Sequence, residues 1–369
     1  MVGELSRYAA WRARAEAIER DGLRRTLRAL VPVGPTRAAL PDGRLCDVFS
    51  SNDYLGLAEH PAVRGAMATG GAGAARLLSG NRRGHDALED ALGAWMGRPA
   101  TLFGSGYLAN LAVFTALFGA GDHVASDALN HASIIDGLRL SRCTRAVMPH
   151  GSVDVPAGAN AVAVEGLYSM DGDFAPVAQL AAVGGAPLLV VDEAHAVGCI
   201  GPAGRGVAAL AGVTPDVVVG TLGKAFGAAG AFVVGPPEVR DVLVSSARPF
   251  IYTTGVPEGV ALAALEGLRL ATDERRERLA AQVHRLRGGL AQVGVRAGGV
   301  AHIVPIRTGP RTMELAGALL ERGFLVGGVR YPTVARGDER LRVTVSAEHT
   351  DDQVDRLVEA FAALLPRSE

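Results

Sequence analysis

The sequence predicts an α/β protein with a mostly parallel central sheet flanked by helices, a smaller α+β C-terminal domain and an N-terminal helical arm. Three observations carry this expectation. The chain has 369 residues, 49% hydrophobic and 20% charged, which exceeds what one hydrophobic core usually serves. Up to about residue 235, short apolar runs alternate with helical patterns, and those at 162–164, 188–191, 217–219 and 231–234 are near-continuous Val, Leu, Ala and Phe. Such runs suit strands covered on both faces. Beyond residue 256 a long helical pattern gives way to mixed strands and helices, which reads as a second layer.

Taken in order, residues 4–30 read as a helix, ended by Pro32, Gly34 and Pro35. A turn-rich stretch at 40–44 leads into a short strand at 45–49, followed by Ser51-Asn52-Asp53-Tyr54-Leu55-Gly56-Leu57. Residues 108–118 read as a helix. Residues 257–291 read as one helical pattern whose Asp273-Glu274-Arg275-Arg276-Glu277-Arg278 run is a solvated face. A strand at 303–307, a helix at 312–322, a strand at 341–345 and a helix at 351–365 complete the chain. The expected divisions are 1–45 for the arm, 46–256 for the large domain and 257–369 for the small one.

Composition excludes several classes of partner. A net charge of -1 and a pI near 6.8 give no basic field for nucleic acid or an anionic membrane. Cys46, Cys143 and Cys199 are odd in number, widely separated and form no CxxC pair, so neither a metal site nor a redox couple is expected. The N-terminus lacks the apolar core of a signal peptide, and no apolar run reaches the roughly 20 residues of a membrane span. A cytoplasmic protein acting on small molecules is the expectation.

The chemistry centres on one residue. Of 37 basic residues only Lys224 is a lysine, and it lies in Thr221-Leu222-Gly223-Lys224-Ala225-Phe226-Gly227. Arginine stays protonated and offers no nucleophilic amine, whereas lysine forms a Schiff base with a carbonyl, as in the anchoring of pyridoxal phosphate (PLP). Ligands of open α/β sheets gather beyond the carboxyl ends of strands. Three such ends carry chemistry: 162–164 runs into Glu165-Gly166-Leu167-Tyr168-Ser169, 190–191 into Asp192-Glu193-Ala194-His195, and 217–219 into the segment with Lys224. PLP needs a carboxylate at its pyridine nitrogen. Asp192 is placed for that, or for a strand-end turn; His195 and Ser169 are placed to bond the phenolic oxygen. Gly104-Ser105-Gly106-Tyr107 enters a helix through small residues, leaving backbone amides for a phosphate. His131, in Asn130-His131-Ala132-Ser133, is placed to stack on a cofactor ring or to serve as a structural histidine. The rival reading of Asp192-Glu193-Ala194-His195 as an ATPase box requires an upstream G-x-x-x-x-G-K-[ST] loop, and the chain contains none.

These motifs together, with Asn52-Asp53-Tyr54 and Ser105 to Asn110, resemble the α-oxoamine synthases, PLP enzymes of the aspartate-aminotransferase fold (fold type I), over about residues 20–360. The resemblance implies a decarboxylative condensation of an amino acid with an acyl thioester of coenzyme A or acyl carrier protein, through an external aldimine and a quinonoid. It makes Lys224 the Schiff-base lysine and base, Asp192 the partner of the pyridine nitrogen, His195 and Ser169 contacts to the phenolic oxygen, and His131 the stacking ring. Gly106, Tyr107 and Thr221 would hold the phosphate, with Thr253 or Thr254 reaching it from the other subunit of a homodimer. Asn52 and Tyr54 would face the neighbouring subunit's cofactor. Arg342 would bind the amino-acid carboxylate, and Arg24 and Thr333 the acyl substrate. The segment from Arg330 to Val334 is most like the branch that joins alanine to a pimeloyl thioester, though Tyr331 and Ala335 replace prolines usual there. Stretches near 66–73, 153–160 and 181–187 are shorter than the family pattern implies.

Overall fold

The computed structural model describes residues 7–365. After a helix at Ala9–Arg20, strands β1 (Val31–Gly34), β2 (Arg37–Ala39) and β3 (Leu45–Phe49) form an antiparallel meander. The next seven strands, β4 (Ala100–Phe103), β5 (His123–Asp127), β6 (Thr144–Met148), β7 (Ala161–Glu165), β8 (Leu188–Asp192), β9 (Val217–Thr221) and β10 (Ala231–Val234), build one sheet in the order β4-β10-β9-β8-β7-β5-β6. The pairs from β9 to β6 are parallel. A second sheet joins β1–β3 to β11 (Ile303–Arg307), β12 (Phe324–Val329) and β13 (Arg340–Thr344), in the order β1-β2-β3-β12-β13-β11.

Successive residues of the large sheet enter different cores, as burial on both faces requires. Val190 packs in the cluster with Phe114 and Ile134, whereas Leu189 and Val191 pack with Val162, Val164 and Val207. Leu279, Leu286 and Leu290 of helix Asp273–Gln292 pack with Val304, Leu341 and Leu357 of the second layer. No helix among the described residues is long and apolar enough to cross a membrane.

Four expectations need correcting. First, β10 runs antiparallel between β4 and β9, because the nine-residue connection carrying Lys224, residues 222–230, reverses the chain directly. Gly227 makes the turn at φ 64°, and a Cβ there would lie 2.4 Å from the Leu57 carbonyl carbon, so an L side chain is excluded twice. Second, the 257–291 pattern is two helices, Glu258–Leu270 and Asp273–Gln292; Asp273 and Glu274 occupy the first turn of the latter, where the helix dipole favours acids. The first helix packs through Ala261 and Ala264 against Leu88 and Phe232 of the large domain. Third, the arm helix covers only Ala9–Arg20 and buries no side chain, so packing does not extend it; residues 4–6 lie outside the described residues. Fourth, β3 pairs in parallel with β12, which places 45–49 and the arm's hairpin in the C-terminal sheet, across the divisions at 45 and 256. Local periodicity does not report a pairing so distant in sequence.

Beside the stretches at 66–73, 153–160 and 181–187 lie a six-residue helix at Pro61–Ala66 and a five-residue helix at Val177–Ala181, and no helix forms between 153 and 160.

Candidate active site

Strands β7, β8 and β9 end side by side at Glu165, Asp192 and Thr221. Beyond these ends is a cavity of about 200 Å³ that brings together Gly106, Tyr107, His131, Asp192, His195, Thr221 and Lys224, as the sequence predicts. Asn110, Ser133 and Glu165 also line it, without having been assigned roles.

Each wall has a local cause. Helix Gly106–Leu117 is capped by Ser105, whose hydroxyl accepts from the Leu108 amide at 3.3 Å and whose carbonyl accepts from Ala109. The first-turn amides of Gly106 and Tyr107 are left for a ligand. Asp192 accepts from the Ala194 amide at 2.9 Å and from Asn110 Nδ2 at 2.7 Å, which fixes the carboxylate plane. Asn110 also donates to Ser133 Oγ at 2.9 Å. His131 caps the next helix by accepting from the Ser133 amide at its Nδ1. That contact places the proton of the neutral ring on Nε2.

Burial dominates the electrostatics. It lowers the Lys224 ammonium to about 8, against the opposing pull of Asp192 and Glu165, while Arg342 pushes in the same direction as burial. Burial also lowers His131, which Asp192 partly offsets, and lowers His195 well below the ordinary histidine value. It raises Glu165 to about 8, with the Asp192 charge adding to the effect. Near neutral pH the cavity therefore holds neutral imidazoles and a neutral Glu165.

A second cavity of about 270 Å³ adjoins the segment from Tyr331 to Ala335 and is lined by Tyr168, Ser169, Thr333 and Arg340 among others. Buried Arg342 links the two sites. It donates to the Ser169 carbonyl at 2.6 Å, to Asn52 Oδ1 at 3.1 Å and to the Tyr54 hydroxyl at 3.4 Å. The Tyr54 hydroxyl lies 2.6 Å from His195 Nδ1.

Several placements differ from expectation. Ser169 lines the second cavity rather than the first, because Arg342 draws its carbonyl toward β13. Within the chain, Asn52 and Tyr54 contact Arg342 and His195. Arg24 lines neither cavity: its guanidinium pairs with exposed Glu19 at 2.8 Å, and it is Arg25 that donates to Thr333 Oγ1 at 3.1 Å. Thr253 and Thr254 follow helix Arg248–Ile251 and line neither cavity.

The pattern of the class I and II aminotransferases matches residues 48–361. An 8-amino-7-oxononanoate synthase of Anaeromyxobacter sp. (strain K) is 45% identical over 96% of this chain and 95% of its own. A serine palmitoyltransferase of Sphingomonas wittichii superposes with a TM-score of 0.88 at 33% identity, covering 97% of both chains. An 8-amino-7-oxononanoate synthase of Francisella tularensis does so at 0.76 and 27% identity, covering 87% of this chain and 98% of that one. The chain belongs to the class I and II aminotransferase family. Its architecture is that family's fold type I, and its relatives place it with the α-oxoamine synthases.

The residues of this aminotransferase-family site fit PLP. Lys224 offers the amine for the cofactor carbonyl, Asp192 a fixed carboxylate for the ring nitrogen, and His131 a flat wall. The Gly106 and Tyr107 amides offer donors for a phosphate, and the Thr221 hydroxyl, which donates to the Gly230 carbonyl at 3.1 Å, would add a third by turning from it. Asn110 bonds Asp192, Ser133 bonds His131 and Tyr54 bonds His195, which fixes those three side chains. Asn110 lies within the quoted motif at the helix start, and its place one turn beyond Gly106 was the available signal.

Proposed function

We propose that this α-oxoamine synthase joins L-alanine to a pimeloyl thioester with loss of carbon dioxide, giving 8-amino-7-oxononanoate as a cytoplasmic enzyme of biotin biosynthesis. The observation that carries the reading is buried Arg342, which lines neither cavity but bonds Ser169 at the second and, through Tyr54, reaches His195 at the lysine cavity. Three of its five N–H donors are engaged, which leaves two for an amino-acid carboxylate. The 45% identity to 8-amino-7-oxononanoate synthases supports the choice of substrates.

PLP supplies the carbonyl that captures the amino group and the electron-withdrawing ring that acidifies the substrate Cα. The chain's own residues do the rest. Lys224 Nζ takes the Cα proton, aided by burial that lowers its ammonium to about 8, so that about half of the amines are neutral near pH 8. Asp192 holds the ring-nitrogen proton, and His131 and His195 present uncharged rings that add no competing positive charge. The second cavity receives the acyl chain, with Thr333 at its wall.

A sister synthase using another acyl group is the second reading, favoured by Tyr331 and Ala335 at the acyl cavity and by the likeness to serine palmitoyltransferases. Specificity constants decide between them. Alanine over glycine and serine, and pimeloyl over acetyl, succinyl and palmitoyl thioesters, are each expected by at least about tenfold. A preference for glycine with a short acyl group reassigns the substrate.

The enzyme is proposed to work as a homodimer, with Thr253 or Thr254 completing the partner's phosphate site. Tyr252, Leu77 and Leu78 are exposed near them, and neither threonine lines the lysine cavity or the second cavity of its own chain. Mixing inactive Lys224→Ala protein with inactive Thr254→Ala protein should then restore activity. Random exchange in a two-fold dimer makes about half the pairs hybrid, each with one intact site, so recovery approaches about one quarter of parental activity. Hybrids confirmed by mass spectrometry that stay inactive remove the threonines from the site.

A further inference from the structure

Glu165 ends β7 inside the lysine cavity and is 3% exposed; the His131 and Ser169 backbone amides bond weakly toward its carboxyl, but Oε1 has no hydrogen bond of good geometry. An unpaired buried carboxyl oxygen is costly unless it has work to do. The other acidic group of the cavity, Asp192, already accepts through both oxygens. Facing Glu165 are Asp192 on β8, Lys224 after β9, His131 at its helix cap and Tyr168 on its own strand's continuation.

The stoichiometry of the proposed condensation, on which this inference rests, calls for a second acid. The Cα–H bond of the amino acid breaks and yields one proton. Two are taken up: one by the thiol sulfur as the thioester C–S bond breaks, and one by the substrate carbon. That carbon keeps the electron pair of the C–C bond when the carboxylate departs as neutral carbon dioxide, and uses it to form the new C–H bond. Lys224 Nζ can carry the Cα proton to sulfur but cannot deliver both. His131 and His195 are neutral in this cavity and carry no surplus proton.

We propose that Glu165 is the second proton-carrying group of this site, its neutral carboxyl delivering the consumed proton to the carbon that loses carbon dioxide. The resulting carboxylate is reprotonated from solvent before the next turnover.

The test separates two reactions at saturating PLP. Exchange of the alanine Cα–H with deuterated water needs only Lys224, whereas condensation needs both groups. In Glu165→Gln, condensation is expected to fall roughly 10²-fold while exchange stays within about threefold, and Glu165→Asp should recover part of the loss. Parental condensation should weaken as pH rises through about 8, where Glu165 loses its proton, and this limb should vanish in Glu165→Gln. Independently of turnover, the cofactor-free protein should show a protonated-carboxyl infrared band that disappears above about pH 8 and is missing in Glu165→Gln. Equal losses of exchange and condensation, unchanged condensation, or no such band overturns the assignment. A parental protein that exchanges but condenses nothing counts against the synthase reading instead.

Discussion

Lys224→Ala is expected to lower condensation by about 10⁴-fold, the upper end of what a positioned base contributes, and to abolish covalent capture of PLP. The amine is the only one of its side-chain kind in the sequence, so borohydride reduction and peptide mapping should place the whole pyridoxyl adduct on Lys224. Capture also has a pH signature. Only the neutral amine attacks a carbonyl, and burial lowers the Lys224 ammonium to about 8. The capture rate of cofactor-free protein should therefore rise with pH through about 8 and level off above it, well below the range of an ordinary lysine. An adduct elsewhere, or a midpoint near the ordinary lysine value, counts against this account of the site.

Asp192→Asn should cost roughly 10²–10³-fold in kcat, the scale of losing a preorganised electrostatic partner, with folding preserved. The fold should tolerate the change because Asn110 can adapt. Its Oδ1 has no partner, while its Nδ2 donates to Asp192 and Ser133. Turning the Asn110 amide over presents Oδ1 to the new amide nitrogen, and the Ser133 hydroxyl can reorient to match. Near-parental turnover in Asp192→Asn, with cofactor bound and melting temperature unchanged, would falsify the electron-sink role.

The chemistry was legible in the sequence where it depended on local order. Lys224, Asp192, His195 and Thr221 sit at or just after strand ends, and a run of three to five apolar residues marks each strand. The helix start at Gly106 was legible for the same reason. What escaped depended on contacts between distant segments. Arg25 and Arg24 are neighbours of the same type, and only the pull of Glu19 on one and the reach to Thr333 by the other separate them. The Arg342 contacts to Asn52 and Tyr54 cross almost the whole chain. So does the parallel pairing of β3 with β12, and no periodicity encodes a partner that far away. The strand direction of β10 followed from a turn whose geometry rests on Gly227 against Leu57, again a contact outside the local pattern.

That parallel pairing also orders events during synthesis. All seven strands of the large sheet, from Ala100 to Val234, have left the ribosome before Phe324, so the walls around Lys224 can assemble on the growing chain. Strand β3 emerges early and waits for Phe324–Val326 before its edge is covered. Non-local pairing of this kind is slow, since the loop must close before any contact stabilises it. The same late step brings the arm's Arg25 to Thr333 and Arg342 to Asn52. A nascent chain can thus gather its lysine cavity first, and the second cavity, the proposed seat of the acyl substrate, is closed only when segments near residues 25–52 and 324–342 meet.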